Sequence, residues 1–403
     1  MSAPTTRLSG LGALFFVGTL GAIAFYVQRQ EVPETHDVVR AAATSTPPAA
    51  EEAPVAALPW QDRLDLAAAT PAPIGGGPAP QAAGKGKAGK SGDPDFALAP
   101  DLGRTRLVQE LSDGHRILYT IDPVLQDAAL QIFRNREVPY AAAVVLDVRD
   151  NSVLALAGHS TMDPEVDPLE ITTTAWAPAA STFKLVTAAS LLAGKAVGPK
   201  TRVCFSGGLH GITDDLLTDD PRRDERCDDL GGAIAHSHNL VIAKLALKHL
   251  GADALQATAR AFKFDSDIPF EFPVERSPAL IPADPKERAK VAAGFWHVDM
   301  SPLHGALLAS VFARGGVYQP PHIVAQVLAP DGSDRTPAVR KAERVLPREV
   351  AETIGAMMVR TTTEGTARAS FVDRQGVAYV RDMQVAGKTG SLTGKRAPGL
   401  NYN

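Results

Sequence analysis

The sequence predicts an α+β fold in which helices sandwich a central antiparallel sheet. Three observations predict it. Two apolar runs of strand length, residues 141–148 (AAAVVLDV) and 153–158 (VLALAG), are joined by the polar turn Arg149-Asp150-Asn151-Ser152. Their apolar character is continuous rather than alternating, which suits strands covered on both faces. Helical segments then dominate from residue 179 to 360, and a last strand-like stretch, residues 383–391 (MQVAGKTGS), follows them. Helices set between strands of one sheet make an α+β plan.

Composition narrows the class. The chain has 403 residues, 45% hydrophobic and 21% charged, with a net charge of −4. That balance is ordinary for a globular protein and gives no electrostatic reason to expect nucleic acid as a partner. Residues 8–28 (LSGLGALFFVGTLGAIAFYVQ) carry no charge, and as a helix they reach ~30 Å, the thickness of a bilayer core. Arg7 precedes them while Arg29, Glu31 and Glu34 follow, a slight bias toward a cytoplasmic N-terminus. Ala22-Ile23-Ala24 offers the rival reading of a cleaved signal peptide, but the uncharged run is long for one and continues through Phe25, Tyr26 and Val27. The expectation is a short cytoplasmic tail at 1–7, a transmembrane anchor helix at 8–28 and an exported remainder. Residues 29–104 are rich in Ala, Pro and Gly and cannot bury enough apolar surface to offset their ordering entropy, so they are expected to form a flexible linker. A short helix around 60–66 fits within it. The folded domain is expected over 105–403.

Within that domain, residues 116–121 read as a strand, and Asp122-Pro123 starts a helix to about Asn135, with an Asp cap and Pro at the first helical position. Residues 179–195 (AASTFKLVTAASLLAGK) are hydrophobic nearly all round and should form a buried helix beginning after Pro178. Residues 228–235 and 240–250 read as two helical pieces separated by Ser237-His238-Asn239, with Gly251 placed to end the second. Another helix spans about 251–264. Ser301-Pro302 opens a helix that stops at Gly315-Gly316, and 347–360 makes one more. Cys204 and Cys227 are the only cysteines. An even pair in an exported chain favours a disulfide closing the polar loop between them, with two free thiols as the alternative. Neither C-x-x-C nor H-E-x-x-H occurs, so no metal and no cofactor is expected.

Three short clusters carry chemistry. Ser181 and Lys184 lie three apart, on one face of a helix, at its first turn. Burial and the positive helix end both favour a neutral lysine there, which is a general base beside a nucleophile. Ser-x-x-Lys alone is a weak signal, and the bland reading is a buried helix with a snorkelling lysine. Ser237-His238-Asn239 and Lys388-Thr389-Gly390 follow, 56 and then 151 residues on. Alone, the first is a helix cap and the second a strand-end turn. In order and together they make sense as acyl transfer. Ser237 and Lys388 form a second hydroxyl–amine pair, able to pass a proton to a leaving amine. The Asn239 amide can hold a donor peptide, Lys388 and Thr389 can bind a terminal carboxylate, and Gly390 lets a substrate backbone approach the strand edge. The N–H groups of Ser181 and Ser391 are candidates for an oxyanion hole.

This trio is the one shared by penicillin-binding proteins and serine β-lactamases. From about Leu107 to Asn403 the sequence resembles the penicillin-binding transpeptidase domain, and LYTIDPVLQDAAL, WAPAASTFKLVTAASLL, SPLHGALLASVFARGG and EGTARAS look like that family's segments in its order. Cys204 and Cys227 match a cysteine pair found in some members. The resemblance implies a monofunctional, class B-like D,D-transpeptidase. It would act on stem peptides ending in D-Ala-D-Ala through an acyl-enzyme on Ser181, with β-lactams as covalent inhibitors. It also implies a periplasmic catalytic domain and, as partners, a glycosyltransferase or proteins of the divisome or elongasome.

Two features depart from the family. His238, with His236 nearby, fills the middle of Ser-x-Asn, where Asp, Asn or Cys is commoner. The chain also ends thirteen residues after Gly390, where the family usually continues with two sheet strands and a helix. Without them the Lys388 strand is expected to be an exposed edge and the chain poorly stable. Two other readings fit parts of the sequence. One is a class D-like β-lactamase or the related β-lactam sensor, since Ser-Thr-Phe-Lys suits those as well. The other is a non-catalytic cell-wall or divisome binding protein that retains the fold.

Overall fold

The computed structural model describes residues 12–18, 21–28, 61–73, 105–207, 211–381, 383–391, 394–395 and 401–402. The expected tail at 1–7 and most of the expected linker lie outside the described residues.

The first described elements are an antiparallel pair, β1 (Gly12–Gly18) and β2 (Gly21–Gln28). A 3-10 turn at Gln61–Arg63 precedes β3 (Thr70–Pro73), which pairs with β4 (Thr105–Glu110), and β4 pairs with β5 (Arg116–Tyr119). The helix α1 (Pro123–Arg136) starts where Asp122-Pro123 predicts. Asp122 accepts from the Val124 N–H at 2.9 Å, and Pro123 brings no N–H to leave unpaired. β6 (Tyr140–Asp147) and β7 (Ser152–Ser160) form the predicted hairpin. After α2 (Pro168–Thr173) and the short β8 (Ala177–Pro178), a 3-10 turn at Ala180–Phe183 runs directly into α3 (Lys184–Ala193).

β9 (Arg202–Phe205) and β10 (Arg226–Asp229) pair with Cys204 opposite Cys227, and the two are joined by a disulfide. Next come α4 (Leu230–Ala235), α5 (Asn239–His249), α6 (Ala252–Ala261) and α7 (Pro285–Ala292). Gly251 does not end α5 in a left-handed turn; its φ is −75° and it caps α6 instead. β11 (Asp299–Met300) pairs with β8, and Ser301 caps α8 (Pro302–Ala313) by accepting from the His304 N–H. The remainder is β12 (Val317–Tyr318), β13 (Val324–Leu328), β14 (Glu343–Arg344), α9 (Arg348–Thr363), a 3-10 turn at Arg368–Ser370, β15 (Gln384–Gly390) and the short antiparallel pair β16 (Gly394–Lys395) and β17 (Asn401–Tyr402).

The central sheet has the order β15-β2-β1-β6-β7 and is antiparallel throughout. Its two faces are covered by different helices. On one, Phe133 of α1 packs on Ala141, Ala143 and Ala157. On the other, Val144, Leu146 and Leu156 join Phe183, Leu185, Leu303 and Leu307 in the main core. Continuous apolar strands and the all-round apolar α3 and α8 follow from this position in the middle layers. Each large apolar side chain buried there contributes roughly 1.5–3 kcal/mol.

The run expected to cross a membrane as a helix is, over its described residues, the hairpin β1–β2. Among the described residues no helix is long and apolar enough to cross a membrane. The physical reason is that a membrane helix and a strand covered on both faces share one signature, an unbroken apolar run. Here β1 pairs with β6 and β2 with β15, closing two backbone edges that would otherwise lack partners. The Lys388 strand is therefore paired along one side, with Lys388 opposite Ala24, and its other side is the outer edge of the sheet.

Candidate active site

Ser181 sits in the 3-10 turn before α3, and Lys184 is the first residue of that helix. The turn is held from outside. The Ala179 N–H donates to Val298 O at 2.9 Å, and Thr182 bonds back to Ala179 O. Lys184 is fully buried, and its Nζ lies 2.6 Å from Ser181 Oγ, 2.7 Å from Asn239 Oδ1 and 2.6 Å from Ala293 O. Burial, and then the charge of Lys388, hold its pKa well below the ordinary lysine value. In the neutral form it has two N–H bonds and one lone pair. Asn239 and Ala293 offer only acceptors and take the two N–H bonds, which leaves the lone pair for the Ser181 proton. Beside Ala293, Gly294 has φ +93°, and a Cβ there would lie 2.3 Å from Ala180 O and 2.9 Å from Ser181 N. The Ser181 turn rests against a backbone that only glycine allows.

Ser237 lies between α4 and α5 with φ +59°, a left-handed conformation that serine adopts at a cost of about 1–2 kcal/mol. The His238 N–H donates to Ala233 O at 3.0 Å and holds the bend. Asn239, first residue of α5, directs its side chain to Lys184. Lys388 is also fully buried, and its Nζ is 2.9 Å from both Ser237 Oγ and Thr389 O. Burial pushes its pKa down to about 7. Two hydroxyl–amine pairs thus face one another across the site, each built on a buried lysine whose pKa burial lowers. His238 turns away from both lysines. Its Nδ1 lies 2.8 Å from Asp228 Oδ2, and its ring stacks on His236 at 5.6 Å. Burial lowers its pKa, against an opposing pull from Asp228.

The Lys-Thr-Gly strand packs directly on the Ser181 turn. A Cβ on Gly390 would sit 3.2 Å from Ala179 O and 3.3 Å from the Thr182 methyl carbon. A side chain at 390 would press on the Ser181 turn more tightly than most Cβ contacts do. Ser391 follows the strand and is exposed. The Thr389 hydroxyl is 2.7 Å from that of Thr366, which follows α9. Thr366 was visible in the sequence only as part of EGTARAS, with no role attached to it.

The disulfide stands outside this cluster. It closes the loop from β9 to β10, and fully buried Lys244 of α5 fastens that loop through Cys204 O at 3.1 Å and Asp224 Oδ2 at 2.6 Å.

Known proteins carry the same domain. The family model described as penicillin binding protein transpeptidase domain matches residues 141–399. Over 308 residues the chain is 28% identical to the peptidoglycan D,D-transpeptidase PbpA of Mycobacterium tuberculosis, covering 69% of this chain and 60% of that one. It is 26% identical to the penicillin-binding protein PbpB of Mycolicibacterium smegmatis, covering 74% of this chain and 47% of that one. The chain thus spans about half to three-fifths of the length of these relatives. The crystal structure of PbpA from Mycobacterium tuberculosis superposes with a TM-score of 0.53 at 26% identity, over 62% of this chain and 64% of that one. A ceftriaxone acyl-enzyme complex of the same protein gives 0.52 at 25%, over 62% of each. A D,D-transpeptidase domain from Eggerthella lenta gives 0.58 at 24%, over 72% of this chain and 73% of that one, a likeness of fold. With an antiparallel sheet between helices and a matched span of this extent, the chain belongs to the penicillin-binding protein transpeptidase domain family.

Proposed function

We propose that the chain is a peptidoglycan D,D-transpeptidase working through an acyl-enzyme on Ser181. The observation that carries this reading is the 2.6 Å contact between Lys184 Nζ and Ser181 Oγ, with both amine N–H bonds directed at carbonyl oxygens. Lys184 takes the hydroxyl proton as Ser181 Oγ attacks the carbonyl of the penultimate D-Ala of a stem peptide. The N–H groups of Ser181 and Ser391 would receive the oxyanion. As the C–N bond breaks, Ser237 gives its proton to the departing D-Ala amine and recovers one from Lys388, 2.9 Å away. An acceptor amine then attacks the ester and gives up a proton that restores Lys388, the new amide forms, and Ser181 Oγ regains its proton from Lys184 as the ester C–O bond breaks. Asn239 positions the donor peptide. Lys388 and Thr389 receive its terminal carboxylate.

The transpeptidase domain would span about 105–403, and the reading implies that it works on the periplasmic side of the inner membrane. β-Lactams would acylate Ser181 as mimics of the donor. The ceftriaxone acyl-enzyme of the mycobacterial protein supports that expectation.

The test is intact-mass spectrometry of the full chain incubated with penicillin G, beside Ser181→Ala. The expected result is one added drug mass in the first and none in the second, with slow loss of the adduct. Rapid turnover without an accumulating adduct would favour a β-lactamase. No adduct under any condition would overturn the assignment of Ser181.

A further inference from the structure

We propose that Thr366 is a further substrate-binding residue, its hydroxyl acting with that of Thr389 as one unit that holds the terminal carboxylate of the donor. The inference rests on the transpeptidase reading and adds to it a residue outside the three motifs. Lys388, the formal cation of the Lys-Thr-Gly strand, is wholly shielded from solvent and directs its amine at Ser237 Oγ and Thr389 O. A carboxylate approaching from solvent therefore meets hydroxyls before it meets the ammonium. Thr366 is exposed, Thr389 is half-exposed, and their oxygens are 2.7 Å apart. In such a pair one O–H is used within the contact, and the other is polarised by it and free to donate outward. An outward hydroxyl donor strengthened in this way suits a carboxylate oxygen.

The placement of Thr366 is built rather than incidental. Its N–H donates to Ala235 O at 3.1 Å, two residues before Ser237. Gly365 lies against the same carbonyl, where a Cβ would be only 2.0 Å from the oxygen. Backbone contacts thus fix residues 365–366 to the end of α4, while the Thr366 side chain reaches β15. Thr366 joins the loop that carries Ser237 to the strand that carries Lys388.

The experiment measures acylation of Ser181 in the full chain by two donors, a D-alanyl thioester ending in a carboxylate and its methyl ester. The quantity read is the ratio of the two second-order rates, which does not depend on the fraction of a variant that is folded. Thr366→Val should lower that ratio by about tenfold, the size of one hydrogen bond to a charged group. Thr366→Ser should restore it to within about threefold of wild type. Thr389→Val should lower it similarly, and the double variant no further, because the hydroxyls act as a pair. A ratio unchanged in Thr366→Val, or additive losses in the double variant, overturns the proposal while leaving the transpeptidase reading intact. Failure of the wild-type chain to acylate with either donor overturns that reading and this proposal together.

Discussion

Replacing Lys388 by Met should make the protein more stable at neutral pH while abolishing the proposed acyl transfer. Lys388 is fully buried, and its pKa falls from 10.5 to about 7. At about 1.4 kcal/mol per unit, that shift corresponds to roughly 5 kcal/mol against folding wherever the unfolded lysine is charged. Between pH 7 and 10.5 the unfolded chain holds a proton that the folded chain has released. Wild-type stability therefore rises with pH in that window, by about 1.4 kcal/mol per pH unit, and the full cost applies below it. Met has similar length and fills the same space without a charge. Its two lost hydrogen bonds, to Ser237 Oγ and Thr389 O, offset about 1 kcal/mol each. The expected gain is about 3 kcal/mol at pH 6, falling to near zero by pH 9. Removing the Lys388 charge also relieves Lys184, which adds to the gain on the acid side. Urea unfolding of the two proteins at pH 6, 7.5 and 9 measures that difference. A variant less stable at every pH, with a difference flat across the range, would refute the reasoning.

Two further outcomes follow from the same geometry. Gly294→Ala places a Cβ 2.3 Å from Ala180 O at φ +93°. The left-handed penalty of about 1–2 kcal/mol and a backbone shift of about 1–3 kcal/mol should lower stability by roughly 2–5 kcal/mol and slow acylation of Ser181 by about tenfold or more, as urea unfolding and adduct kinetics would show. Loss of the disulfide in Cys204→Ser with Cys227→Ser releases a loop spanning 23 residues and should cost about 3 kcal/mol. Reductant should lower the melting temperature of wild type to that of the variant and leave the variant unmoved.

Much of the fold could be read along the chain because the signals were local. Asp122-Pro123 and Ser301-Pro302 cap and start α1 and α8 where their side chains and missing N–H groups allow. The Ser181 helix is buried along its whole apolar length. Asp284-Pro285 is the same kind of signal and opens α7, which the periodicity of a short, polar segment did not reveal. The N-terminal run could not be read, because an unbroken apolar sequence does not distinguish a membrane helix from a hairpin lying between two strands.

The sequence by itself determined which residues carry reactive groups, in what order, and on what local element: a serine and lysine one turn apart, a serine and asparagine in an interhelix loop, and a lysine on a strand. Those features depend on spacing, and spacing is written in the chain. Only the tertiary structure decided how they meet. The Lys184 amine is oriented by two carbonyl oxygens 55 and 109 residues away. Lys388 owes its lowered pKa to burial against a loop 151 residues earlier. Thr366 gains a neighbour in Thr389 because Gly365 lets α9 close on Ala235. Proton affinity and hydrogen-bond partners depend on what surrounds a group in space, and that is settled only when distant segments pack.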